Sequence, residues 1–124
     1  MDVLFLCPHG AAKSVIAAAM LNDLARRMHL EITASSAGTE PDDEINPIAV
    51  ETLMAQRLPV PNAPQLVTKR LVERADIVVS FGCEIDKLPA RPERWVDWSD
   101  APAVSEDVDG LCELLTNRLK TLLT

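Results

Sequence analysis

The chain of 124 residues carries twelve Lys and Arg against nineteen Asp and Glu, a net charge of −7, with 48% hydrophobic and 25% charged residues. That is the length of one domain, residues 1–124, with enough apolar material for its own core, and the composition excludes a disordered chain. The acidic balance argues against nucleic-acid and anionic-membrane partners, and no apolar run approaches the ~20 residues of a membrane span. The start, Met1 to Leu6, has no basic segment of the kind that opens a signal peptide. With three cysteines, an odd count, the expectation is a cytoplasmic protein with reduced thiols.

Val3-Leu4-Phe5-Leu6 is a short continuous apolar run, the pattern of a strand buried on both faces. The segment Cys7-Pro8-His9-Gly10-Ala11-Ala12-Lys13-Ser14 interrupts it, and helical spacing follows. Ile16, Met20, Leu24 and Met28 recur four apart, opposite Asn22, Asp23, Arg26 and Arg27, with Ser14 expected as a capping residue. A second strand is expected from Leu30 to Ser36, stopped at Ala37-Gly38. The acidic stretch Glu40 to Glu44 reads as a solvated turn, a helix from about Pro47 to Gln56 follows, and Pro59, Pro61 and Pro64 mark a loop. Val67 to Arg74 reads as a further helix, and Ile77-Val78-Val79-Ser80-Phe81 as the clearest strand, being β-branched and flanked by Asp76 and Gly82. Pro89 and Pro92 break the chain before a short strand at Trp95 to Trp98. Val108, Leu111, Leu115, Leu119 and Leu122 then share one face of a last helix, which also carries Cys112 as a packing residue.

Strands alternating with helices predict an α/β three-layer sandwich, flavodoxin-like, with a central parallel sheet of about four strands and helices on both faces. In such folds ligands sit beyond the carboxyl ends of the strands, where the loop from Cys7 to Ser14 falls. Gly10, Ala11 and Ala12 are small enough for backbone N–H groups to converge, the helix start adds partial positive charge, and Lys13 adds a full one. These residues, with Pro8, His9 and Ser14, form a predicted oxyanion-binding loop. Cys7 at its base is the candidate nucleophile, because the same field favours a thiolate. His9 reads as an exposed loop residue and His29 as structural. Two histidines and three scattered cysteines have no metal-ligand spacing, and no cofactor is expected.

Val3-Leu4-Phe5-Leu6-Cys7, five residues, then Lys13-Ser14 resembles the Cys-x5-Arg-Ser loop of the low-molecular-weight protein tyrosine phosphatases and the arsenate reductases of the same fold. Ser36-Ala37-Gly38-Thr39-Glu40-Pro41 is similar to the family's Ser-Ala-Gly-Thr turn. Ala75 to Cys83 is similar to its third-strand signature, and Asp97-Trp98-Ser99-Asp100-Ala101-Pro102 resembles the late loop that carries its general acid. The resemblance covers most of the chain.

It implies that Cys7 attacks phosphorus to form a phosphocysteine, while the loop amides and Lys13 hold the equatorial oxygens. It implies further that Ser14 hydrogen-bonds the sulfur and that Asp100 acts as acid and then base, with Asp97 as competitor. Lys13 stands where the family has arginine, a flexible point charge in place of a planar fork. With no tyrosine in the chain, Trp98 is the candidate substrate wall. Cys83, which should open near the same sheet edge as Cys7, is a candidate redox partner, although no third cysteine follows near Leu88-Pro89-Ala90. The expected function is hydrolysis of phosphomonoesters of the protein phosphotyrosine class. Arsenate reduction by Cys7 with an external thiol, a thioredoxin-type reductant or Cys83 is the first alternative, and a catalytically weak oxyanion-binding module the second.

Overall fold

A computed structural model describes residues 1–123. Four parallel strands, β1 (Asp2–Leu6), β2 (Thr33–Ala37), β3 (Ile77–Ser80) and β4 (Trp95–Asp97), lie in the order β2-β1-β3-β4. The helices between and after them are α1 (Lys13–Arg27), α2 (Pro47–Ala55), α3 (Lys69–Arg74) and α4 (Val104–Leu122), with a 3₁₀ turn at Ile85–Lys87. Alternation along the central strand divides the core. Val3, Phe5 and Cys7 face one layer with Ile16, Leu53, Leu111 and Leu115 from α1, α2 and α4. Leu4 and Leu6 face the other, with Val72 of α3, Val67, Ala75 and Val78. The fold is therefore the expected flavodoxin-like sandwich, with three helices on one face and one short helix on the other.

β1 is flanked by β2 on one side and β3 on the other, so the chain leaves its carboxyl end at the point where strand order reverses, which opens a crevice there. Phe5, with no exposed surface, pairs in register with Ser36 and Val79. Burying a side chain of this size contributes roughly 1.5–3 kcal/mol, so the strand that leads into the crevice is firmly held.

Several elements differ from expectation for local reasons. The buried face of α1 is Val15, Ile16, Ala17, Ala18, Leu21 and Ala25. Met20 and Leu24 are half-buried and Met28 is 54% exposed, because small alanines let the helix lie close on the sheet, and of the four-apart stripe Ile16 alone is fully buried. Ser14 is not the cap: Ala12 holds that position with no side-chain hydrogen bond.

β2 starts at Thr33 because His29 and Leu30 are used to end α1. His29 takes φ 56°, and the N–H groups of His29 and Leu30 donate to the carbonyls of Arg26 and Ala25, the two bonds of a Schellman motif. α2 begins behind Asn46, whose side chain accepts from the Ile48 N–H, with Pro47 in the first turn. α3 begins at Lys69, capped by Thr68, because the Val67 N–H is committed to the Gly38 carbonyl.

α4 leaves helical geometry at Asp107 and resumes with the Asp107 carboxylate accepting from the Gly110 N–H. Its buried residues are Val104, Leu111, Leu115 and Leu119. Cys112 is half-buried beside them and accepts from Gln56 Nε2. Along the outer edge of β2, the Asn22 side chain binds both the N–H and the carbonyl of Ala34, and Gln65 Nε2 donates to the Ser36 carbonyl. These amides occupy backbone groups that would otherwise template another strand.

Candidate active site

The loop between β1 and α1 is shaped by three hydrogen bonds from the segment that follows β2. The N–H groups of Glu40, Asp42 and Asn46 donate to the carbonyls of Pro8, His9 and Ala11 at 2.8, 3.0 and 2.9 Å. A trans peptide carries its N–H opposite its carbonyl, so fixing the Pro8 and Ala11 carbonyls outward turns the His9 and Ala12 N–H groups inward. The Gly10 N–H closes a turn on the Cys7 carbonyl, and Gly10 has φ 59°, open to glycine at no steric cost. Among the described residues, the N–H groups of His9, Ala11, Ala12, Lys13 and Ser14 have no acceptor within the chain. The last two belong to the first turn of α1, where unpaired donors and the helix dipole favour an anion.

Cys7 sits under this arc, 5% exposed, and its Sγ lies 2.9 Å from Ser14 Oγ. Ser14 is fully buried and this is the contact that satisfies its hydroxyl. Cys7, Pro8, His9, Gly10, Ala11, Ala12, Lys13 and Ser14 thus form one continuous loop from β1 into α1, with Cys7 and Ser14 in contact across it.

Lys13 takes a different course. Its Nζ donates to the Ala101 carbonyl at 3.1 Å and lies 6.0 Å from the centre of the Phe81 ring. Its ammonium bridges the β1–α1 loop to the loop that follows β4. That loop carries both candidate acids. Asp97 accepts from the Ser99 N–H at 2.8 Å, a local turn contact. Asp100 is gripped by both Nη atoms of Arg118 on α4, at 2.8 and 2.5 Å. Arg118 holds the Asp100 carboxyl below the ordinary carboxylate range, chiefly by hydrogen bonding. Trp98, expected as a substrate wall, is only 8% exposed: it packs on Phe5 and Phe81, and the Arg118 guanidinium lies 5.7 Å from its ring centre.

Cys83 is half-buried just past β3. Ser80 Oγ accepts from the Cys83 N–H and donates to its carbonyl, which fixes the turn. Burial pushes the Cys83 thiol up, and the nearby Cys7 sulfur adds to this, against hydrogen bonds from Thr39 and Ser80 that pull it down. The three cysteines are free thiols. His9 lies at the rim, 62% exposed, with Nδ1 3.2 Å from the Glu40 carbonyl and 3.3 Å from Asp42 Oδ1.

Sequence reasoning missed Arg118 and Asn46. Arg118 lies on the polar side of a helix, where nothing in the local pattern marks a partner 18 residues earlier. Among the described residues no group of His, Cys, Asp or Glu is arranged to hold a metal, and no helix is long and apolar enough to cross a membrane. A cavity of about 630 Å³ lies away from Cys7, between α1, β2 and the proline-rich loop.

A family model described as low molecular weight phosphotyrosine protein phosphatase matches residues 2–93. The protein-arginine-phosphatase of Bacillus subtilis (strain 168) is 30% identical over 83 residues, 65% of this chain and 55% of that protein. The chain thus spans about half the length of the curated relative it matches. The structure of a thioredoxin-dependent arsenate reductase from Corynebacterium glutamicum matches with TM-score 0.77 at 28% identity, over 98% of this chain and 59% of that one. A low molecular weight protein tyrosine phosphatase from Bacillus subtilis shares the fold, with TM-score 0.81 at 19% identity over 99% of this chain and 95% of that one.

Proposed function

Because the chain belongs to the low molecular weight phosphotyrosine protein phosphatase family, we propose that it hydrolyses phosphomonoesters through a phosphocysteine on Cys7. The observation that carries this reading is the pairing of Cys7 Sγ with Ser14 Oγ beneath unpaired loop amides. A tetrahedral dianion seated there meets N–H donors on its equatorial oxygens and a sulfur nucleophile behind phosphorus.

The sulfur attacks as thiolate, with the Ser14 hydroxyl donating to it. The S–P bond forms as the P–O bond to the leaving group breaks, and a protonated Asp100 delivers its proton to the departing oxygen. In the second step Asp100, now a carboxylate, takes a proton from water. Water oxygen bonds to phosphorus, the S–P bond breaks, and inorganic phosphate and the Cys7 thiolate are released. Lys13 supplies positive charge beside the cradle and ties it to the acid loop. The chemistry needs no cofactor, and reduced thiols suit a cytoplasmic location.

The substrate class is protein phosphotyrosine. Phosphoarginine is the comparison substrate, since a relative is a protein-arginine-phosphatase. The test is hydrolysis of p-nitrophenyl phosphate, a phosphotyrosine peptide and a phosphoarginine peptide by the protein and its Cys7→Ser variant. Loss of all turnover in the variant, with trapping of phosphate on wild-type Cys7 by rapid quench, is the expected result. Equal rates in the two proteins overturn the mechanism.

Arsenate reduction is the second reading, supported by Cys83 lying near enough to Cys7 for its charge to act on the Cys83 thiol. Here Cys7 sulfur attacks arsenate, an As–S bond forming as water leaves; a second thiol, Cys83 or an external thioredoxin-type reductant, then attacks Cys7 sulfur, the S–S bond forming as the As–S bond breaks with its electron pair to arsenic, so that arsenite departs and the two thiols are oxidised to a disulfide. Arsenate-dependent consumption of a thioredoxin system separates this from hydrolysis. A binding-only module would instead give phosphate affinity by calorimetry with turnover in neither assay.

A further inference from the structure

The loop that follows β4 is held at two successive residues from two directions. Lys13 Nζ holds the Ala101 carbonyl from the oxyanion loop, and Arg118 holds the Asp100 carboxylate from α4. Arg118 is itself fixed over Trp98, which is wedged against Phe5 and Phe81 in the core. The fork occupies both oxygens of Asp100, a geometry only an ionised carboxylate accepts. We propose that Arg118 is a positioning residue for the reaction: closed on Asp100 it keeps the carboxylate in the form that takes a proton from water, and it must open before Asp100 can protonate a leaving group.

The proposal rests on the hydrolase reading above and assigns the two steps opposite demands on one ion pair. Cleavage of the ester needs Asp100 protonated, which the fork opposes. Hydrolysis of the phosphocysteine needs it ionised, which the fork favours. No other charged side chain contacts Asp100 among the described residues. Asp97 is turned onto the Ser99 N–H, and Lys13 faces the neighbouring carbonyl. The lowered proton affinity of Asp100 has Arg118 as its cause, and that of Arg118 is raised in return. While the fork is closed, ester cleavage should therefore favour leaving groups that depart without a proton, such as p-nitrophenolate, and phenolate-like leaving groups should depend on its opening.

The test compares phenyl phosphate with p-nitrophenyl phosphate across pH for wild type, Arg118→Gln, Arg118→Lys and Asp100→Asn. Arg118→Gln is expected to raise kcat/KM for phenyl phosphate several-fold more than for p-nitrophenyl phosphate and to move the alkaline limb of the phenyl phosphate profile upward. Arg118→Lys, which keeps the charge and loses the fork, is expected to fall between and serves if the glutamine variant folds poorly. An unmoved limb and an unchanged ratio between the two substrates in both Arg118 variants overturn the proposal. So does an Asp100→Asn variant that keeps the wild-type ratio, since Asp100 is then not the acid. Failure of the underlying reading is distinct: turnover that survives Cys7→Ser, whatever Arg118 does.

Discussion

Gly38 backs directly onto Gly10: a Cβ on Gly38 would stand 2.5 Å from the Gly10 nitrogen, and one on Gly10 would stand 2.8 Å from the Gly38 nitrogen. The turn after β2 and the β1–α1 loop are thus packed backbone to backbone, with the 40–46 segment then binding the loop carbonyls. Gly38→Ala should push the two apart, at a cost of about 1–3 kcal/mol in stability, and misplace the loop amides. Differential scanning calorimetry with phosphate titration checks both effects. A fully stable variant with unchanged phosphate affinity would show that the close approach is not required.

Ser14→Ala removes the hydroxyl that touches Cys7 sulfur and nothing else the structure gives it. A hydrogen bond to a charged group is worth about 1.5–3 kcal/mol, so turnover should fall about 10–100-fold. Steady-state kinetics on p-nitrophenyl phosphate check this, and retained turnover would leave Ser14 as a packing residue.

Lys13→Arg should raise phosphatase turnover, because a planar fork can span two oxygens where an ammonium contacts one. Lys13→Met should lower it by about 10²-fold, the usual effect of losing one transition-state donor. Steady-state kinetics on p-nitrophenyl phosphate decide the matter. Equal rates for lysine and methionine would confine Lys13 to its Ala101 contact.

Cys83 should react slowly with alkylating agents at neutral pH. Burial raises its proton affinity, so the neutral thiol persists to higher pH and the thiolate appears only above the ordinary cysteine range. Mass-spectrometric labelling between pH 6 and about 10 should show Cys83 modification rising late. Cys83→Ala should not change phosphate-ester hydrolysis, and it should slow arsenate reduction only if the internal relay operates.

Arg57 ends α2 at φ 59° with the same pair of Schellman bonds that His29 makes after α1. A side chain in that conformation costs roughly 1–2 kcal/mol. Arg57→Gly should stabilise the fold by about 0.5–1 kcal/mol once the extra freedom of glycine in the unfolded chain is subtracted. Thermal unfolding measures it, and a lower Tm would show that Arg57 makes compensating contacts.

The amino-acid pattern by itself determined the alternation of strand and helix. An apolar run such as Val3 to Leu6 reads as a buried strand wherever it is found, and a loop of small residues between strand and helix limits what can sit there. It also marked Cys7, Lys13 and Ser14, because their spacing within eight consecutive residues is local. What only the tertiary structure decided are relationships between residues distant in the chain. These are the outward turn of the loop carbonyls onto residues 40–46, the parking of Lys13 on Ala101, the burial of Trp98 under Arg118 and the clamp on Asp100. Periodicity reports which face of an element is buried, but a charged side chain's partner depends on how separate elements meet. An exposed aspartate and an arginine on the polar side of a helix look alike in sequence whether they face water or each other.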